Sequence, residues 1–297
     1  MIHDRVQDST SATFFLFRRV PMHSRTPLVG RGAAGTLATL VTCLAVLSAC
    51  TSLTEANPTP NRYGSVSIRA RNAANSRATA NATTIFFEAF TAAVPNSALQ
   101  QTDQCVYAAV DTVTPLIKGV KRAGATVSLN IGAANISLPY DDLYFRYANP
   151  ENTPFTYGAG DVVQVTIPGD AAVYPSSSIS VRLAEPIMPG AVSVPTGTSP
   201  MAFTWNASND STAAIILSLR YANPSTSSYA NEQIYCSLRD DGAHQLPTTA
   251  LAAFLASPNN RRSLQMTRWR TREAFIDART ILHIATSVDT SLTFPPQ

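Results

Sequence analysis

Short runs of β-branched and aromatic residues recur along most of this 297-residue chain, and they constrain its fold more than any other feature. In the run 161–167, Val163, Val165 and Ile167 fall on one face of a strand. Gln164 and Thr166 fall on the other face, because successive side chains of a strand point to opposite sides. The pattern predicts strands at residues 65–70, 83–90, 125–131, 161–167, 178–183, 201–205, 213–221, 232–238 and 280–288.

Turn-forming residues separate these runs, as at Asn149-Pro150 and at the Asp-Asp-Gly of residues 240–242. Strands and turns at this spacing favour an all-β fold. A β-sandwich of immunoglobulin-like or fibronectin-like character is expected. Trp205 and Cys236 lie on neighbouring predicted strands and are compatible with that class.

One short helix is expected near residues 248–256. Thr248 or Thr249 would be its N-cap, several apolar residues follow at helical spacing, and Pro258 stands just past the end. The helix would be the single exception to the β pattern.

The proline-rich residues 187–200 carry no strong pattern and are expected to connect two β domains, 65–186 and 201–297. The pentapeptide RYANP occurs at 146–150 and again at 220–224. A duplicated hairpin would produce this repeat, and so would chance in a chain rich in Ala, Asn and Pro. Both explanations stay open.

The N-terminal part of the chain resembles a targeting signal. Gly32 to Ala49 form a stretch of 18 apolar and small residues, preceded by Arg25 and Arg31. A membrane-spanning helix needs about 20 predominantly apolar residues, and no basic residues follow this stretch. A charged flank and a short apolar segment that ends in small residues are typical of a secretory signal.

Leu47, Ser48, Ala49 and Cys50 end this stretch, and their order resembles the lipobox of bacterial lipoproteins. The resemblance covers only the leader, residues 1–49. It implies that the sulfur of Cys50 receives a diacylglycerol, that the signal is cut before Cys50, and that the new amino group is acylated, for instance by palmitate. The alternative is a plain signal peptide or an N-terminal membrane anchor that happens to contain these residues.

Two further residues refine the expected location. Residues 1–21 fit a signal poorly, so we expect translation to start at Met22. Thr51 follows the cysteine where lipoproteins of the inner membrane typically carry Asp, so the resemblance implies an outer-membrane lipoprotein. Residues 50–64 would be the lipidated cysteine and a flexible tether.

The charge balance argues against a nucleic-acid partner. Five of the 22 Lys and Arg residues and two of the 19 Asp and Glu residues precede Cys50, which leaves 17 of each sign after it. Nucleic-acid binding usually requires a basic excess or a basic stripe. The segment after Cys50 is electrically balanced, so no nucleic acid is expected among its partners.

Motifs that carry chemistry are sparse. The chain has no G-x-S-x-G elbow, no H-E-x-x-H pair and no phosphate-binding glycine loop. His283 is expected to be a satisfied strand residue, and His244 follows the turn at 240–242, where a hairpin is favoured over a metal site. No catalytic residue, metal ligand or cofactor is predicted.

The sequence TRWRTR at residues 267–272 is the most concentrated positive patch. In a strand, Arg268, Arg270 and Arg272 share one face. They could form a surface for an anionic ligand, such as lipopolysaccharide phosphates, an acidic glycan or a protein. The favoured alternative is a solvated edge strand, whose charges prevent edge-to-edge pairing.

A cluster of aromatic residues is the second possible binding surface. Sugar-binding modules use exposed aromatic rings as platforms, but packing in the core is the favoured use of such residues. The cluster consists of Tyr140, Tyr144, Phe145, Tyr147, Phe155 and Tyr157.

Two cysteines remain after Cys43 leaves with the signal and Cys50 receives lipid. Disulfides persist in exported proteins, and one pair has one intramolecular connectivity. The chain therefore predicts a Cys105–Cys236 bridge. Two buried free thiols are the alternative.

These observations predict a lipid-anchored protein of the cell envelope that acts as a binding or scaffolding module. Its partners would be the membrane, through the N-terminal lipid, and an unknown envelope protein or glycan. The alternative is a secreted hydrolase, for example one acting on glycans. Such an enzyme needs only two carboxylates, which need not form a motif.

Overall fold

The computed structural model describes residues 61–73, 75–88, 103–109, 119–150, 153–170, 173–193, 195–222 and 230–293. Strands dominate these residues, so the all-β prediction is confirmed. The predictions for residues 1–60, including the signal, Cys50 and most of the tether, lie outside the described residues.

Sixteen strands and one α-helix are present in the described part of the chain. The first eight strands are β1 (Arg62–Ala73), β2 (Arg77–Glu88), β3 (Gln104–Ala109), β4 (Val120–Lys121), β5 (Thr126–Ile131), β6 (Ala134–Asp141), β7 (Arg146–Ala148) and β8 (Phe155–Gly158). The others are β9 (Val162–Ile167), β10 (Ser177–Arg182), β11 (Met201–Thr204), β12 (Ala214–Tyr221), β13 (Glu232–Arg239), β14 (Ala243–Leu246), β15 (Ser263–Asp277) and β16 (Thr280–Leu292).

Fourteen strands join in one hydrogen-bonded network, in the order β10-β9-β5-β6-β7-β2-β1-β16-β15-β12-β13-β3. β4 and β8 also pair with β2, and β11 and β14 form a separate pair. β1 and β16 run parallel. Strands from the two predicted β domains therefore lie side by side in one sheet, and the domain division itself stays a prediction.

The hairpin of β1 and β2 shows how alternation builds the core. Val66, Ile68 and Ala70 of β1 are buried, whereas the residues between them are partly or fully exposed. Gly64 allows a close approach, because a Cβ atom there would lie 2.6 Å from Cδ1 of Leu282 and 2.6 Å from the hydroxyl of Tyr174. A larger residue at position 64 would force these neighbours apart.

The two regions of the strand network share one hydrophobic core. Val127, Leu129 and Val165, from β5 and β9, belong to the same buried cluster as Ile68 and Leu217 of β1 and β12. The chain after β10 returns to the centre of the sheet, where the backbone N–H of Ala184 donates to Oγ1 of Thr286 over 3.0 Å. The network thus folds back on itself around this core.

The helix lies where it was expected, at Thr248–Ala256 (α1), and a 3₁₀ turn follows at Asn259–Arg261. The predicted threonine N-cap is wrong. Pro247 occupies that position, and no side chain caps the helix. α1 is held instead by burial of Leu251 and Phe254.

Across the ranges that the structure describes, no helix has the length and apolar character needed to cross a bilayer. α1 has nine residues.

The predicted disulfide is confirmed. Cys105 of β3 and Cys236 of β13 are directly opposite in an antiparallel pair, with their Cα atoms 4.0 Å apart. β3 ends the strand order, and β13 is its partner there. The bridge thus fixes this last strand covalently to the rest of the sheet.

Replacing both cysteines, Cys105→Ala and Cys236→Ala, should lower the free energy of unfolding. The bridge joins residues that are 131 positions apart in the sequence, and so it restricts the conformations of the unfolded chain. The chain-entropy model gives roughly 4–5 kcal/mol as an upper figure for a loop of this length, and disulfides typically contribute about 2–4 kcal/mol, so we expect a loss in that typical range by urea denaturation. Dithiothreitol should lower the stability of the parent and leave that of the double variant unchanged. Equal stabilities of parent and double variant would contradict this role.

Candidate functional site

A shallow polar groove crosses the outer face of the sheet, on the side opposite the core. It spans β1, β16, β15, β12 and β13, and its volume is about 180 Å³. This is smaller than the roughly 300–1,000 Å³ of a typical pocket for a drug-sized ligand. The groove could therefore hold one unit of an extended ligand. Its lining includes Arg69, Arg220, Tyr235, Thr267, Trp269 and Asp289.

Strand alternation makes this face polar. In β12, Leu217 and Leu219 point into the core, so Ser218 and Arg220 point to the opposite side. The same division holds in β15, where Met266 is buried in the core and its neighbours face the groove. Five adjacent strands thus combine their polar sides into one surface.

Three buried polar atoms of the groove lack hydrogen-bond partners among the described residues. They are Oγ of Ser218, Nε of Arg220 and Nε1 of Trp269. A buried donor without a partner costs about 1–3 kcal/mol. Since buried polar groups in folded proteins are normally satisfied, a hydrogen-bonding ligand that entered the groove could supply the partners that these atoms lack.

The charges of the groove are mixed. Arg69 is exposed and Arg220 is half-buried, whereas Asp289 accepts a hydrogen bond from Oγ1 of Thr267 over 2.6 Å. Burial raises the pKa of Tyr235 to about 12, so its phenol keeps its proton at neutral pH. The groove can hydrogen-bond to a ligand and can offer the ring of Trp269 for stacking.

The groove does not provide the carboxylate pair of a glycosidase. Asp289 is the single carboxylate in its described lining, and a carboxylate-based hydrolase requires two. Among the described residues, no group of three or more His, Cys, Asp or Glu residues could hold a metal ion.

The two histidines lie elsewhere. His283 lies in β16 as predicted, and its Nδ1 has no hydrogen-bond partner among the described residues, so this nitrogen is not satisfied as expected. Nδ1 is 3.9 Å from an exposed carboxylate oxygen of Glu273. Burial nevertheless lowers the pKa of His283 to about 4, which keeps the imidazole neutral. Burial also lowers the pKa of His244, although Asp103 and Asp241 act in the opposite direction.

The arginines of β15 differ most from expectation. The favoured prediction of a solvated edge strand is wrong for residues 264–269, which pair with β12 on one side and with β16 on the other. From Arg270 onward β15 pairs with β16 alone. Arg268, Arg270 and Arg272 do share one face. That face also carries Leu264 and Met266, which are buried in the core. The arginine side chains therefore become more exposed along β15, since Arg268 is buried, Arg270 is partly buried and Arg272 is exposed.

Arg268 is fully buried and contributes nothing to a surface, which corrects the prediction of an anionic-ligand surface at this residue. Its Nε donates to Oδ2 of Asp240 over 2.6 Å, and a second nitrogen donates to Oδ1 over 3.1 Å. The remaining hydrogen bonds go to the carbonyl oxygens of Glu185, Pro186 and Asn206. Burial of an ionised guanidinium is tolerated because it is paired and hydrogen-bonded throughout.

Arg270 and Arg272 continue the series toward the surface. Arg270 pairs with Asp210 and donates to the carbonyl oxygen of Arg182. Arg272 is exposed and donates to the carbonyl oxygen of Ser180. Two arginines of β15 thus hold the backbone of β10, whose outer edge has no strand beside it in the described order.

The sequence contained a signal for this inward orientation. Leu264 and Met266 precede Arg268 at alternate positions, so the apolar face of β15 continues directly into the arginines. The groove residues were missed for a different reason. They come from five strands, and none of them forms a motif along the chain.

The aromatic cluster divides into four residues that pack in or against the core, among them the partly buried Tyr140, and two that are exposed. Tyr147, Phe155 and Tyr157 are buried, which confirms packing in the core for these three. The hydroxyl of Tyr147 donates to the carbonyl oxygen of Gly124 over 2.7 Å. Tyr144 is exposed and is considered below, together with Phe145.

No protein-family model matches the chain. A search of curated proteins also finds no match.

Replacing Arg268 by Met should destabilise the protein far more than replacing Arg272 by Gln. Arg268→Met leaves the carboxylate of Asp240 buried, with Nε1 of Trp205 as its remaining side-chain donor among the described residues. We expect a loss of about 3–5 kcal/mol in the free energy of unfolding. Arg272→Gln removes one exposed bond to a carbonyl and should cost about 1 kcal/mol or less. Urea denaturation measures both, and equal losses would contradict the buried role of Arg268.

Proposed function

We propose that the protein is an outer-membrane lipoprotein of the cell envelope that acts as a binding or scaffolding module. The lipobox-like residues that end at Cys50 support lipid anchoring, and Thr51 supports the outer membrane. The domain that begins at Arg62 would then be held at the membrane surface, facing the periplasm or the cell exterior.

The finer fold that we propose is a β-sandwich of immunoglobulin-like or fibronectin-like character. Antiparallel pairing of most strands and a single core between the two regions of the network support it. Trp205 is largely buried, and Cys236 is fully buried. Such folds serve many functions, so the proposal for function rests on the groove and not on the fold.

The ligand that we propose for the groove is a polar chain, with a glycan of the envelope as the favoured class. The observation that carries this proposal is the group of unpartnered polar atoms at Ser218, Arg220 and Trp269. Sugar hydroxyls both donate and accept hydrogen bonds, so they could pair with the serine hydroxyl and accept from the other two groups. The indole ring beside them would stack on the apolar face of a sugar.

Binding is favoured over hydrolysis by the composition of the groove. One carboxylate, Asp289, lines it and is already engaged by Thr267. The other charged residues that line it are Arg69 and Arg220, which suit recognition of an anionic or neutral polar unit. The groove also lies on paired strands, which provide a rigid support for recognition.

Replacing Cys50 by Ser should release the protein from the membrane or stop its processing. Diacylglycerol supplies two acyl chains and the amino group a third, and two membrane-binding signals already give stable anchoring. Intact-mass analysis of the parent should show a lipidated N-terminal cysteine. An unmodified N-terminus at any residue other than Cys50 would refute the proposed anchor.

Changes in the groove should weaken binding of an envelope glycan. The full-length protein in detergent micelles would be screened on a glycan array, and the best ligand measured by calorimetry. Trp269→Phe removes one donor and keeps the ring packing, and Arg69→Gln removes one charge. Each should weaken binding by about tenfold, since one well-formed hydrogen bond corresponds to roughly that factor.

The matched control is Arg71→Gln. Arg71 lies two residues after Arg69 on the same face of β1, and it is exposed and does not line the groove. Its replacement should leave the dissociation constant unchanged. The groove proposal fails if no glycan binds, or if the control weakens binding as much as Arg69→Gln does.

A further inference from the structure

The tip of the β6–β7 hairpin displays three large apolar side chains in succession. Leu143 is 76% exposed, Tyr144 62% and Phe145 58%. Single exposed apolar residues are common, but a contiguous group indicates a surface that contacts another molecule. The polar groove does not include these residues.

The hairpin holds these side chains outward. Oδ1 of Asp141 accepts hydrogen bonds from the backbone N–H groups of Leu143 and Tyr144, over 2.9 and 3.2 Å. Phe145 has a φ of 53°, in the left-handed region that is unfavourable for bulky residues. The guanidinium of Arg146 lies 4.9 Å from the ring centre of Tyr144. The tip is therefore an ordered apolar projection, flanked by the carboxylates of Asp141 and Asp142 on one side and by the guanidinium of Arg146 on the other.

Strand register directs this tip toward the end of the sheet at which β1 begins. Arg62, the first residue of β1, is opposite Glu88, the last residue of β2. β7 runs antiparallel to β2, with Tyr147 opposite Thr84. The residues that precede β7 therefore lie toward the Glu88 end, which is also the Arg62 end.

A second exposed apolar residue lies at the same end. Phe275 is 71% exposed and stands just before the turn between β15 and β16. Arg62 is opposite Thr280, the first residue of β16. Exposed Met188, in contrast, lies at the other end, because Ile187 before it is hydrogen-bonded to Asn72 near the end of β1.

We propose that the hairpin tip, together with Phe275, inserts into the interface of the membrane that holds the lipid anchor. The inference rests on the proposed lipidation of Cys50. The described part of the chain begins at Asn61, eleven residues after Cys50. A chain of that length spans at most about 40 Å, so this end of the sheet stays close to the bilayer.

The chemistry of the tip fits a lipid interface. Tyrosine is enriched where headgroups meet acyl chains, and leucine and phenylalanine insert below that level. Arg146, beside Tyr144, and Arg122, 4.9 Å from the ring centre of Tyr140, could reach lipid phosphates. A hairpin tip of three side chains is smaller than the roughly 800 Å² per partner of a stable protein interface.

The test uses the full-length lipidated protein in vesicles that contain nitroxide-labelled lipids. Tyr144→Trp places a fluorescent reporter at the tip, and Leu143→Trp provides a second one in case the first disturbs the hairpin. Met188→Trp is the matched control, since Met188 is 53% exposed at the opposite end. The native Trp205 and Trp269 give the same background in every variant.

We expect quenching at the tip to exceed that at position 188 by about threefold or more, since interfacial side chains lie ~5–10 Å into the boundary. If the mass of the protein shows the lipid but quenching is equal at both ends, the proposed membrane contact of the tip is overturned and the lipid anchor is not. That result would assign the tip to a protein partner or a second copy of the chain. A mass without lipid overturns the anchor, and with it this inference.

Discussion

The buried ion pair of Arg268 and Asp240 is the interaction on which the rest of the structure depends. It joins the middle of β15 to the residue that follows β13, and both side chains are almost completely buried. The same guanidinium binds the carbonyl oxygens of Glu185, Pro186 and Asn206. Three segments that are distant in the sequence thus meet at one cation. Because desolvation of a charge is costly, loss of one partner of this buried pair strongly destabilises the arrangement.

The arginines on β15 also decide how the two faces of the sheet are used. Arg270 and Arg272 satisfy carbonyl oxygens of β10, the outermost strand of the described order. An uncovered strand edge would otherwise be available for pairing with another chain. The arginines of β15 therefore stabilise the interior and one edge of the sheet. The opposite face of β15 carries Trp269 and contributes to the groove.

A binding function agrees with this division of the surface. The groove lies across the face of the sheet, whereas the apolar tip and the start of β1 lie at one end of the strands. If that end of the strands faces the membrane, the strands point away from the bilayer. The groove on the face of the sheet then opens sideways, along the membrane surface. Such an orientation leaves the groove accessible to a polymer that runs near the membrane surface.

The sequence by itself determined nine of the sixteen described strands, that α1 forms, and which cysteines pair. These features depend on local alternation, on propensity and on a count of two cysteines. Only the tertiary structure decided that β15 is central and that Arg268 is buried, because its partners lie 28, 62, 82 and 83 residues away. The groove likewise exists only after five strands have been placed side by side. Alternation predicts that a strand has two faces, but the distant partners decide which face becomes the interior.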